Sequence, residues 1–111
     1  MAKSKYDQER DVLYINEGKS VESIPKGGFI LQLNSNREVV GVEILNASEV
    51  ISGLTDISVE KAIELLENIQ SAEKKINQAG SFQMVAVIIK SEMDGEKITQ
   101  SVSLETPAAT A

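Results

Sequence analysis

Few groups in this chain can do chemistry, and most of them are carboxylates. Asp7, Glu9 and Asp11 fall at alternate positions, where three acids could hold a divalent cation or exchange a proton. A calcium loop, however, needs further oxygen ligands and a glycine at fixed offsets, then a closing glutamate. Arg10 interrupts this run and Val12 to Ile15 already reads as strand, so a solvated turn is expected. Asp11 is kept as an interaction candidate rather than a metal ligand. Glu43 alternates with Val42 and Ile44, which sets it on the opposite sheet face, beside Gly41. An exposed carboxylate is the plain expectation there; the sharper one pairs it with Tyr14 or with a partner's cation. Tyr6 and Tyr14 are the only tyrosines, each expected to pack its ring and wet its hydroxyl.

The missing residue types narrow the chemistry further. There is no histidine and no cysteine. That removes the commonest general base, the commonest ligands of zinc, copper and iron, and any disulfide. Gly27-Gly28 belongs to no phosphate-cradling glycine motif, and no motif gives a serine its usual base. The expectation is a protein that is not an enzyme and uses no cofactor or metal. Eleven Lys and Arg stand against seventeen Asp and Glu, a net charge of −6, and the cations are scattered. That balance disfavours nucleic acid and would suit a basic protein partner. The longest apolar run, Met84 to Ile89, is far shorter than a bilayer span of about 20 residues. Two lysines near Met1 have no apolar stretch behind them, so no export signal is expected and the cytoplasm is the expected compartment.

The elements that must position these groups follow from periodicity. Val12 to Asn16, Val21 to Ile24, Gly28 to Leu33 and Glu38 to Leu45 read as four strands. Gly18, Pro25-Lys26-Gly27 and Asn34-Ser35-Asn36-Arg37 punctuate them. Strict alternation in the last two predicts a sheet buried mainly on one side. Asn46-Ala47-Ser48-Glu49 reads as a capping box starting a short helical turn that stops at Gly53.

The spacing of Val59, Ala62, Ile63, Leu66, Ile69, Ala72 and Ile76 predicts one long amphipathic helix over Val59 to Gln78. Ser58 is its expected N-cap and Gly80 its expected stop. Phe82 to Lys90 is apolar on both faces, so it is expected as a central strand covered on both sides. Asp94-Gly95 then turns into an edge strand over Lys97 to Leu104.

The predicted class is α+β in the order β-β-β-β-α-β-β: a four-strand antiparallel meander and a C-terminal hairpin, with one long helix packed on the sheet. One domain over residues 1–105 is expected, followed by a disordered tail at 106–111. Two subdomains meeting around Gly53-Leu54-Thr55 are the weaker alternative.

Three groups of residues carry a resemblance as well as a pattern: Tyr6-Asp7, Asp11-Val12-Leu13-Tyr14-Ile15, and Gly41-Val42-Glu43-Ile44-Leu45 with Asn46-Ala47-Ser48. Together they make residues 6–50 resemble the domain of unknown function 2283 family of small prokaryotic proteins. That family's central stretch has acids and an Asp-Gly turn where this chain has Gln32, Asn34 and Asn36-Arg37, so roles resting on those acids are not carried over. The resemblance implies a stand-alone sheet protein and leaves an antitoxin-like or assembly role open.

Three readings follow. The first is a non-enzymatic interaction module forming a homo-oligomer through a sheet edge or face, since Lys97 to Leu104 looks like an open edge. The second is an acidic, antitoxin-like partner of a basic protein. The third is a small-ligand binder or enzyme using Tyr14, Glu43 and neighbouring carboxylates.

Overall fold

The structure is a computed structural model and describes residues 3–107. Eight strands form two antiparallel sheets, and two short helices join them. The first sheet holds β1 (Lys3–Asp7), β2 (Val12–Asn16), β3 (Glu22–Lys26), β4 (Phe29–Leu33) and β5 (Val39–Ile44) in the order β1-β2-β5-β4-β3. Then come α1 (Ala47–Thr55) and α2 (Val59–Glu67). The second sheet is β6 (Ile69–Ala79), β7 (Phe82–Met93) and β8 (Glu96–Pro107), in that order.

The predicted α+β arrangement with one long helix is therefore wrong. The helix ends at Glu67, and residues expected to be its second half form β6. Asn68 closes α2, its backbone and side-chain amides both donating to the Glu64 carbonyl. Beyond it, Ala72, Lys74 and Ile76 turn inward at strand spacing, opposite Ile89, Val87 and Val85. Helix propensity is a weak prior that tertiary pairing overrides. Here β7, rich in β-branched residues, takes a strand on each side. Gly80, with φ of 64°, makes the two-residue hairpin turn that supplies one of them.

The first sheet also departs from a meander. β3, β4 and β5 follow one another as hairpins, but β2 lies beside β5 rather than β3, and β1 adds a fifth strand that alternation did not reveal. Three hairpin-linked strands, with the strand that precedes them lying beside the last, make a Greek key read from its C-terminal end. Gly41 permits the close fit at the centre: a Cβ there would stand 2.9 Å from the Ile15 carbonyl oxygen.

The strands read from alternation are nonetheless present, and their inner faces carry the core. Leu13, Ile15, Phe29, Leu31, Leu33, Val42 and Ile44 join Ile51, Ala62 and Leu66 of the helices and Val85, Val87, Ile89 and Val102 of the second sheet in one cluster. Lys74 points into this layer, is only 13% exposed, and meets Glu17 of the β2–β3 loop at 2.9 Å. Ser58 caps α2 as its position predicts, accepting from the Lys61 amide at 3.1 Å. Asp94 and Gly95, both at positive φ, make the β7–β8 turn. β8 continues past Leu104 to Pro107, and residues 108–111 of the expected tail lie outside the described residues.

Candidate functional site

The three residues singled out from the sequence end in two places. Tyr14 and Glu43 sit directly opposite each other on β2 and β5, on the sheet face turned away from the core. Lys5 continues that row on β1 and Ile30 on β4. Glu43 is half-buried and accepts from the Gln32 amide at 3.0 Å, while Ser23 donates to the Gln32 carbonyl oxygen at 2.7 Å. A hydrogen-bonded polar run thus crosses an open face from β3 to β5.

Asp11 is elsewhere, and its groups are engaged. Its backbone is left-handed, with φ of 56°. Its carbonyl accepts from the Ala47 amide at 2.8 Å, and its carboxylate accepts from the Ser48 amide at 3.0 Å and the Ser48 hydroxyl at 2.6 Å. Tyr6 donates its phenol proton to the same carboxylate at 2.7 Å. The start of α1 is therefore capped from the β1–β2 turn, where an anion also suits the helix dipole. Asn46, expected to cap by a capping box, has φ of 50° and makes no side-chain cap, and α1 runs through Gly53 to Thr55. Burial, the Asp11 hydrogen bond and the charges of Asp11, Glu67 and Asp7 together push the Tyr6 phenol well above its usual range.

Residues 3–48 match the family model described as Protein of unknown function (DUF2283). The DUF2283 segment is β1 to β5 with the first two residues of α1, so it ends on Ser48, the residue that Asp11 holds. Tyr6, Asp11, Gly41, Ala47 and Ser48 of the resemblance shape the DUF2283 sheet; Tyr14 and Glu43 are its members on the open face. No curated protein and no solved structure matches the chain.

The second sheet, outside the DUF2283 segment, has a different kind of surface. Its outer face was expected to be covered, yet Phe82 is 52% and Met84 42% exposed, with Ala86 and Ile88 half-buried beside them. At its border, β8 pairs with β7 without a register shift from Glu96 to Pro107, and among the described residues no strand lies on its other side. Where β6 bulges at Gln70, a hollow of about 410 Å³ opens between Ser71, Lys90, Glu92, Lys97 and Thr99. Its walls hold no carboxylate pair or glycine cradle. Among the described residues no group of acids could hold a metal ion, and no helix is long and apolar enough to cross a membrane.

Proposed function

We propose that this chain is a non-enzymatic interaction module that self-associates through the free edge of β8. The observation that supports this reading is a contrast among the four sheet edges. Exposed edges invite pairing with other chains, and proteins blunt them with short strands, lysine, proline or bulges. β1 has five residues and carries Lys3 and Lys5; β3 has five and contains Pro25; β6 is bulged between Ile69 and Ser71. β8 has twelve residues, an unbroken register and no proline before its last position. Its one lysine, Lys97, stands at its second position, so of the four edges it is the longest and the least guarded. Light scattering on eluting protein at high micromolar concentration tests the reading: a dimer or larger species is expected, and a clean monomer would overturn it.

A second reading is favoured by one observation, the Tyr14–Glu43 pair on the open DUF2283 face. Under it, that face receives a small ligand or a partner's cation. Ligand-induced melting shifts should then vanish in Glu43→Gln and Tyr14→Phe, and unchanged shifts would reject the site.

A further inference from the structure

Resting on the self-association reading above, we propose that the partner is a second copy in one defined register: β8 pairs antiparallel with β8 about a dyad through Ser101. Identical antiparallel edges close as a twofold dimer, in which the same patch serves both partners. Directly opposed residues in such a pair point to the same sheet face, so the dyad must pass through a residue rather than between two. Thr99, Ser101 and Ser103 point outward, while Ile98, Gln100, Val102 and Leu104 point inward beside Ser91, Ile89, Val87 and Val85.

Charge then selects among the remaining registers. With the dyad at Ser101, Lys97 of each copy faces Glu105 of the other, Thr99 faces Ser103, and Ile98 faces Leu104. Moving it to Gln100 sets Lys97 against Ser103 and Glu96 against Leu104. Moving it to Val102 sets Glu105 against Thr99. Opposite charges across a strand pair stabilise it, and a carboxylate against a leucine does not. Among the described residues neither Lys97 nor Glu105 belongs to an ion pair; Lys97 stands across from Glu92 on β7 without closing a salt bridge, and the β7 neighbour of Glu105 is Met84. The joined sheet would run β6-β7-β8-β8-β7-β6, with the Phe82–Met84 surfaces of both copies on one side.

The chain has no cysteine, so a single introduced thiol reports the register. Opposed Cα atoms in an antiparallel pair are about 4.5–5.5 Å apart, inside the range a disulfide can bridge. Ser101→Cys should cross-link into a dimer on mild oxidation, while Ser103→Cys, displaced along the strand from its copy, should not. Lys97→Glu and Glu105→Lys should each weaken the dimer by about tenfold, and the double reversal should restore it. Thermal melting of each variant establishes that it remains folded. A dimer in which Ser103→Cys links and Ser101→Cys does not, or which ignores the charge reversals, overturns this register and leaves self-association standing. A monomer at every concentration overturns both.

Discussion

The two sheets solve the same problem differently. The DUF2283 sheet has strands of five or six residues, and its free ends are tied: Asp11 holds α1, Tyr6 holds Asp11, and proline or lysine sits on each edge. The second sheet has strands of eleven or twelve residues that reach along most of the 46 Å long axis, at about 3.3 Å per residue. Its inner face is packed, Val102 of β8 included, but its outer face is partly exposed and, among the described residues, no strand pairs with the far edge of β8. One region spends its polar groups on internal order, and the other leaves boundary available for contact.

The largest effect tests whether the two regions share one fold at all. Leu66 is 1% exposed, lines one hollow with Tyr6 of β1 and Gln8 of the β1–β2 turn, and lies three residues before the start of β6. Leu66→Ala should lower unfolding stability by about 2–5 kcal/mol in a single urea transition. A loss under about 1 kcal/mol, or two separate transitions, would show that the sheets fold independently and break the comparison at its root.

Next comes the lock itself. Asp11→Ala removes the acceptor for the Ser48 amide, the Ser48 hydroxyl and the Tyr6 phenol. It also leaves alanine at positive φ, so about 2–3 kcal/mol should be lost. Asp11→Asn keeps an acceptor and tolerates that backbone, and should lose about 1 kcal/mol. Equal losses in the two variants, measured by chemical denaturation, would mean that the charged carboxylate, which both remove, rather than the backbone conformation governs the turn.

Tyr6→Phe probes the outer half of the same network. Near neutral pH it should lower stability by about 0.5–1.5 kcal/mol, the net worth of one hydrogen bond. The sign of its pH dependence follows from the raised phenol: the folded state prefers the neutral form more than the unfolded chain does. Its contribution is complete below the usual tyrosine value of about 10 and fades as pH rises above it. The difference between wild type and Tyr6→Phe should therefore be flat from pH 7 to about 9 and shrink beyond about 10. A difference that does not change in alkali would place no weight on this hydroxyl.

How far all this could be read beforehand depends on the range of the interactions. Strand alternation from Phe29 to Ile44, the Ser58 cap and the Asp94-Gly95 turn are local signals, and they were legible. The cap on α1 was not, because its donor and acceptor are 37 residues apart; the nearer Asn46 matched the capping pattern but not the geometry. β6 was hidden for another reason. Its inward face holds Ala72, Lys74 and Ile76, so a cation interrupts the apolar alternation, while Leu66, Ile69, Ala72 and Ile76 also fit helical spacing. The shared face of Tyr14 and Glu43 was legible from parity. That they stand directly opposite depends on β2 pairing with β5, which no local pattern encodes.

The smallest expected effect is the one that separates edge from face. Phe82 and Met84 lie on the outer side of β7, about half exposed, opposite the packed side that carries Val85 and Val87. Threonine suits a strand and removes the apolar surface, so Phe82→Thr with Met84→Thr should change stability by no more than about 0.5 kcal/mol. If association runs through β8, this pair should also leave the dimer unchanged, because backbone pairing at the edge does not involve that face. A stability loss above about 1.5 kcal/mol would mean that the surface is packed against something within the fold, and the contrast between the sheets would vanish. Full stability with loss of the dimer would move the contact from the rim of the second sheet to its outer face. Small as the expected change is, the two measurements together decide which boundary of the long sheet does the work.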